Sequence, residues 1–292
     1  MVPAAECVLP AGARLGECPL WSPEAGVLYW VDIDGCSVHE FDPVSGTDSS
    51  WPLEGRPGAI ALTAQRGCLL VALENGLGWL DMESGEFDPW LVLEERRPGV
   101  RLNDGRCDPA GRFWIGGMFV PASAGRFEGM LHRVETDGRF HTIRDEVGVA
   151  NGLAFSPDGS VMYWADTLLE TVWAYDYDIA TGRRYNERVF LDFTRLPGRP
   201  DGACVDETGC YWIACVGGSA VLRVTPLGVV DRQIGLPVEW PSMPAFGGAG
   251  LDTLFITTIG RGADRARRAG RPGGLYALDP GVRGLAEPRF GR

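Results

Sequence analysis

Short runs of apolar and aromatic residues recur along the chain, and each run follows a turn that contains glycine. The pattern occurs six times, for example as SPDG followed by SVMYWADT and as DETG followed by CYWIACV. Successive turn glycines are 41, 44, 48, 50 and 41 residues apart, at Gly26, Gly67, Gly111, Gly159, Gly209 and Gly250. A repeat of about 40 to 50 residues is the period of a four-stranded propeller blade.

The fourth repeat divides into four strands on its residue pattern alone. Its strands are rich in Val, Tyr, Trp and Phe, and Gly, Asp and Pro separate them. They are Asn151 to Pro157, Val161 to Thr167, Thr171 to Asp178 and Glu187 to Phe193. The pattern predicts an all-β protein, a six-bladed β-propeller with four-stranded antiparallel blades, as a single domain over residues 1–292. A pair of β-sandwiches is the alternative.

The last repeat ends one strand short of a complete blade. We therefore expect Glu6 to Leu9, at the other end of the chain, to supply the missing outer strand and close the ring. The residues after Gly281 are the alternative source of that strand.

Polar residues recur at one position of the repeat, eight residues before each turn glycine. The six residues at this position are Cys18, Ala59, Asn103, Asn151, Asp201 and Ser242, and Glu17 is one residue out of phase. The first strand of a blade lines the channel, so these side chains should meet near its mouth. Cys18 should point away from Glu17 if the segment is extended.

Carboxylates that converge in a buried place repel each other unless a cation holds them. Glu17, Asp201 and the amide oxygen of Asn151 form an all-oxygen set that suits one hard divalent cation. The set leaves Ca, Zn, Mn, Mg and Fe(II) open. The simpler alternative is that these side chains cap strand ends by bonding turn amides.

Composition removes several classes of function. The 27 basic residues are all Arg, so neither a Schiff-base lysine nor a phosphate-loop lysine is available. The formal charge of −12 disfavours nucleic acid as a partner, and the basic run Arg261 to Arg271 is interpreted as a solvated loop. No apolar run reaches the about 18 residues needed to span a membrane, and no signal peptide is evident, which predicts a cytoplasmic protein.

Eight cysteines lie along the chain without CxxC pairing, which favours buried free thiols over disulfides or a metal site. The three histidines are out of phase with the polar positions. Four tryptophans repeat directly after the turns, at Trp30, Trp114, Trp164 and Trp212. We expect these to pack between blades in the second strands.

Five segments, in order, resemble the SMP-30/gluconolactonase/LRE family, which includes regucalcin and bacterial sugar lactonases. They are LGECPLW (15–21), RLNDGRCDPAGRFWIGGM (101–118), NGLAFSPDGSVMYWADT (151–167), PDGACVDETGCYWIACVGGSAVLRVTPLG (200–228) and PAFGGAGLDTLFITT (244–258). The resemblance implies a six-bladed propeller with one divalent metal in its channel. It implies Glu17, Asn151 and Asp201 as metal ligands, Arg101 and Asn103 as substrate contacts, and Asp201 as general acid/base.

The chain departs from the family pattern in places. Cys18 stands where Gly is usual, and Gly117 where Thr is frequent. Some members have an acidic substrate contact just after Met118. Here Phe119 to Pro121 follow, and Glu128 is the nearest carboxylate.

The sequence therefore predicts a metal-dependent hydrolase that opens a sugar lactone, such as glucono-, xylono- or arabinonolactone, to the aldonic acid. A bound cation would polarise the carbonyl and stabilise the oxyanion, and Asp201 would exchange a proton with water. The alternatives are an esterase or phosphotriesterase at the same site and a non-catalytic calcium-binding propeller. We expect a monomer or a weak homo-oligomer.

Overall fold

The computed structural model describes residues 4–93, 97–260 and 270–291. Those residues form six four-stranded antiparallel sheets, and their only helix is a three-residue 3₁₀ turn, η1 (Ala122–Ala124). No helix among them is long and apolar enough to cross a membrane. The basic run expected as a solvated loop falls, over residues 261–269, outside the described residues.

Each blade is a meander, and in the first five blades the strands run outward from the channel in chain order. The strand that opens the chain is β1 (Glu6–Leu9). The first blade contains β2 (Gly16–Ser22), β3 (Val27–Asp32), β4 (Ser37–Asp42) and β5 (Thr47–Pro52). The second contains β6 (Ala59–Leu62), β7 (Cys68–Leu73), β8 (Gly76–Asp81) and β9 (Phe87–Val92). The third contains β10 (Val100–Cys107), β11 (Phe113–Phe119), β12 (Gly129–Val134) and β13 (Phe140–Val147).

The remaining three blades follow the same plan. The fourth contains β14 (Ala150–Phe155), β15 (Val161–Asp166), β16 (Thr171–Asp178) and β17 (Arg183–Asp192). The fifth contains β18 (Arg199–Val205), β19 (Tyr211–Val216), β20 (Ala220–Val224) and β21 (Val230–Gly235). The sixth contains β22 (Pro241–Gly247), β23 (Thr253–Thr258), β24 (Leu275–Leu278) and, outermost, β1. The six-bladed β-propeller expected from the repeat is confirmed.

Burial decreases from the inner to the outer strand of a blade, as expected where each sheet packs between two others. All residues of β6 and β14 are buried, whereas Thr47, Ser49 and Ser50 of the outer strand β5 are exposed. The four second-strand tryptophans are at most 2% exposed, which confirms their place between blades: Trp30, Trp114, Trp164 and Trp212. All eight cysteines are free thiols; five are buried, and Cys7, Cys36 and Cys68 are only half-buried.

The ring closes through the N-terminal strand. β1 pairs antiparallel with β24, with Glu6 opposite Ala277 and Cys7 opposite Tyr276. The expectation for Glu6 to Leu9 is thus confirmed, and the alternative source after Gly281 is wrong. Because β1 comes from the opposite end of the chain, its pairing ties the two ends of the propeller together.

The C-terminal tail, residues 283–291, crosses the face of the propeller opposite the strand starts. Gly284 forms a bridge with Asp206 of the fifth blade, and Phe290 forms one with Thr63 of the second. The ring of Phe290 is 2% exposed and lies 5.9 Å from that of Trp79. The tail therefore joins distant blades across the end of the channel.

Arg106 carries a buried positive charge at this end of the channel. Its guanidinium donates hydrogen bonds to the carbonyl of Leu153 in the fourth blade (2.8 Å) and of Ala203 in the fifth (2.7 Å). Its third partner is the Glu287 carboxylate of the tail, which forms an ion pair with it. Glu287 thus neutralises a charge that holds three blades together.

Replacing Glu287 with Ala should lower the free energy of unfolding by about 3 kcal/mol, because Arg106 would keep a buried charge without its counterion. Glu24→Ala is the matched control. It removes the exposed ion pair between Glu24 and Arg289 of the same tail (3.1 Å) and should cost less than about 1 kcal/mol. Urea unfolding of both variants measures the difference. Equal losses would contradict a neutralising role for Glu287.

Candidate functional site

The polar positions of the repeat lie at the starts of the first strands, and most of these strands are bulged there. The pairing register shifts between Glu17 and Leu20, Leu102 and Gly105, Asn151 and Ala154, Pro200 and Ala203, and Pro241 and Met243. A bulge bends a strand and redirects its side chains. The strand β6, which offers only Ala59 at this position, has no such shift. The bulges therefore coincide with the polar positions.

Cys18 does not have the extended backbone on which its expected direction depended. Its φ is +46°, in the left-handed region that Gly152, after Asn151, also adopts. The thiol of Cys18 is buried and accepts a hydrogen bond from the amide of Ile60 in the next blade (3.3 Å). The sulfur is thus engaged between the first two blades, at a backbone conformation that glycine adopts without strain.

Asp104 and Asp201 are buried and Glu17 is half-buried, and the three carboxylates are close enough for their charges to interact. Burial and the charge of Asp104 raise the pKa of Glu17 to about 8. Burial, followed by the charges of Glu17 and Asp104, raises the pKa of Asp201 well above its usual range. Burial raises the pKa of Asp104 to about 6, although the amide of Leu153 donates to it (3.0 Å). The three groups repel one another in their charged forms.

Asp104 was missed by the sequence reasoning. It follows Asn103 directly, so strict strand alternation would have turned it away from the site, and only the bulge after Leu102 brings it close. Its position inside the LNDG segment was the one available signal.

Arg101, Asn103 and Asn151 form a chain of hydrogen bonds across two blades. Arg101 Nη1 donates to Asn103 Oδ1 (2.8 Å). Asn103 Nδ2 donates to Asn151 Oδ1 (3.0 Å) and to the carbonyl of Ala150 (2.9 Å). Both hydrogens of the Asn103 amide are therefore used within the protein. Its oxygen, with a second lone pair, remains able to accept from a ligand.

The chain continues from Asn151 to Thr167 and ends in the fifth blade. Asn151 Nδ2 donates to Thr167 Oγ1 (2.8 Å), whose hydroxyl donates in turn to the carbonyl of Pro200 (2.8 Å). A guanidinium can only donate and a carbonyl can only accept, so the two ends fix the direction of every bond between them. Asn151 consequently turns its nitrogen to Thr167 and its oxygen to Asn103, and a second lone pair of that oxygen remains for a cation.

A divalent cation fits the donor chemistry of these residues. Glu17 and Asp201 supply carboxylate oxygens, Asn151 supplies an oriented amide oxygen, and the mutual repulsion of the carboxylates calls for a positive charge. Within residues 4–93, 97–260 and 270–291, no three His, Cys, Asp or Glu side chains are grouped as a metal site on their own. A cation here would accordingly need the amide of Asn151, and water, in its shell.

The histidines lie on outer strands with partners of their own. His39 of β4 contacts Asp48 (2.8 Å). His132 of β12 lies 3.2 Å from Thr142, and burial lowers its pKa to about 4. His141 of β13 lies 3.8 Å from Glu135.

In the segment after Met118, an arginine side chain packs on Phe119, the residue that directly follows Met118. The guanidinium of Arg126 lies 4.0 Å from the centre of the Phe119 ring. Glu128, the nearest carboxylate in the sequence, forms an ion pair with that arginine. The Glu128 charge is therefore already balanced.

Comparisons with known proteins show which family the chain resembles. The family model described as "SMP-30/Gluconolactonase/LRE-like region" matches residues 15–260. The chain is 40% identical to 6-deoxy-6-sulfogluconolactonase of Pseudomonas putida, covering 98% of each chain. It is 34% identical to L-arabinolactonase of Azospirillum brasilense, covering 99% of this chain and 96% of that one.

Among solved structures, the calcium-binding protein regucalcin from Agrobacterium tumefaciens superposes with a TM-score of 0.92 at 28% identity. The match covers 99% of this chain and 97% of that one. The family model and the relatives above 30% identity extend over nearly all the propeller, including every residue of the candidate site. The chain therefore belongs to the SMP-30/gluconolactonase/LRE-like family.

Proposed function

We propose that this chain opens a sugar lactone to its aldonic acid with one divalent cation held by Glu17, Asn151 and Asp201. The observation that carries the proposal is the placement of Glu17, Asn151 and Asp201 at the starts of the first strands of three blades, with the amide oxygen of Asn151 in a fixed orientation. Relatives at 34% and 40% identity, named for the opening of sugar lactones, support the reaction class.

When bound, the cation would polarise the lactone carbonyl and stabilise the negative charge that develops on its oxygen. Asp201, buried beside the cation site, takes a proton from the attacking water as the water oxygen bonds to the carbonyl carbon. The ring C–O bond then breaks, and Asp201 returns the proton to the leaving ring oxygen. Atoms balance, since one water is added and the product is a hydroxy acid.

Arg101 and Asn103 have different parts in this scheme. Arg101 is buried and donates to Asn103, and it places a positive charge close to Glu17 and Asp201. Asn103 uses both amide hydrogens on the fourth blade, so it contacts a sugar hydroxyl as an acceptor, through its oxygen. Its larger part is to orient Asn151.

A panel of substrates tests the reaction class. Metal-loaded enzyme should release protons from one or more of glucono-, 6-deoxy-6-sulfoglucono-, xylono- and arabinonolactone far faster than buffer. The panel also includes aryl esters and phosphotriesters. Turnover of those alone would make the chain an esterase or phosphotriesterase. Metal uptake without any turnover would make it a binding protein.

A further inference from the structure

The residues that precede the proposed metal ligands share one feature. Each ligand follows a residue whose carbonyl accepts a hydrogen bond from a side chain of the preceding blade. The three bonds run from Ser242 Oγ to Gly16 O, from Asn103 Nδ2 to Ala150 O and from Thr167 Oγ1 to Pro200 O, at 2.6, 2.9 and 2.8 Å. The same contact is thus repeated at three blade junctions.

Ser242 occupies the polar position of the sixth blade, and the sequence pattern alone assigns this residue no role. Its side chain is fully buried, and its hydroxyl donates to the carbonyl of Gly16, directly before Glu17. Thr257 Oγ1 lies 2.9 Å from the same hydroxyl and donates to the carbonyl of Met243. The bond joins the last blade to the first, where the ring closes.

Thr167 acts on two ligands at once. Its oxygen accepts from the amide nitrogen of Asn151 (2.8 Å), and its hydrogen goes to the carbonyl before Asp201. Because the hydrogen is committed to Pro200, Thr167 can only accept from Asn151. This single hydroxyl therefore selects the amide orientation of Asn151 and holds the backbone directly before Asp201 in place.

These bonds fall where the strand ladder is weakest. Glu17 and Asn151 are each the last residue paired with the second strand before the register shifts, and Asp201 lies inside such a shift, directly after the paired Pro200. A cation tolerates only small displacements of its ligands, and residues that orient the ligands commonly change metal affinity by about 10- to 100-fold.

We propose that Ser242 and Thr167 are positioning residues that hold Glu17, Asn151 and Asp201 in the arrangement a divalent cation requires. This inference rests on the proposed function. Neither residue contacts the cation; each acts through the backbone or the amide of a ligand.

The inference is tested by binding Mn²⁺ alone to metal-stripped full-length protein. Electron paramagnetic resonance of the free Mn²⁺ and calorimetry measure the affinity. The near-isosteric Thr167→Val and the variant Ser242→Ala should each bind Mn²⁺ about 10-fold or more weakly. Thr167→Ser keeps the hydroxyl and should stay within about 3-fold of wild type.

Thr63→Val is the matched control. Its buried hydroxyl also donates to backbone carbonyls, those of Gln65 and Cys68 (2.9 Å each), but at the far end of the second blade. Its Mn²⁺ affinity should equal that of wild type, although its melting temperature falls. Wild-type affinity in both Thr167→Val and Ser242→Ala would overturn the inference. A wild type that binds no Mn²⁺ would instead remove the proposed function and the inference with it.

Discussion

Replacing Asp201 with Asn should lower kcat for lactone opening by about 10³-fold while the propeller remains folded. Asn keeps an oxygen that a cation can use, but it cannot accept the proton of the attacking water. General acid–base groups commonly contribute about 10²- to 10⁴-fold in rate. Titration of the released acid at constant pH, with saturating metal and lactone, measures the loss.

The control for this variant is another buried aspartate of the same blade. Asp206 is fully buried but lies at the far end of β18, where Trp212 Nε1 (2.9 Å) and Arg223 Nε (2.8 Å) donate to it. Asp206→Asn should reduce stability and leave kcat of the folded fraction unchanged. Equal kcat values for Asp201→Asn and wild type would show that the proton transfer has been assigned to the wrong residue.

Replacing Glu17 with Gln should weaken divalent metal binding by about 100-fold or more and, with no metal present, stabilise the folded protein. The first effect follows from the loss of one of two carboxylate ligands, since ligand charge sets the affinity for a hard cation. The second follows because on folding Glu17 must either bind a proton or keep a charge close to those of Asp201 and Asp104, and Gln does neither.

The sign of the second effect can be checked through pH. Glu17 has a pKa raised to about 8 in the folded protein, so between its unfolded pKa and about 8 the folded form holds a proton that the unfolded form has released. The associated stability is complete at low pH and is lost as pH rises through 8. His132, with its pKa lowered to about 4, opposes this trend only below its unfolded value near 6.5.

Thermal unfolding of metal-stripped protein at pH 6.5 and pH 8.5 therefore provides the measurement. Wild type should lose more stability over this interval than Glu17→Gln, and the difference between the two measures the contribution of Glu17 together with its effect on Asp201, whose pKa its charge raises. A Glu17→Gln variant that is less stable than wild type at pH 8.5 without metal would contradict the repulsion.

Much of the architecture could be predicted because the propeller repeats a local pattern. Thr171–Asp178 was predicted to the residue as a strand, since alternation and flanking turns mark both its ends. Glu6–Leu9 was identified as the closing strand because the sixth repeat was one strand short. The outer strand β17 begins at Arg183, four residues before the expected Glu187, because exposed outer strands carry few apolar residues to mark them.

The fine structure of the site could not be predicted in the same way. A bulge changes which side chains point inward, so alternation gave the wrong backbone for Cys18 and hid Asp104. Thr167 directly follows the second strand β15 and joins the site only through the packing of the fourth and fifth blades. The C-terminal tail, with Glu287, depends on contacts between residues far apart in the chain.

Metal titration during turnover tests the central claim most directly. Protein stripped of metal with a chelator is mixed with a lactone that the wild type opens, and divalent metal is added in steps while acid release is followed. We predict negligible activity at the start, a linear rise, and a plateau at one metal ion per chain. Full activity in the stripped protein, or a plateau that the Glu17→Gln variant reaches at the same free metal concentration, would contradict the claim.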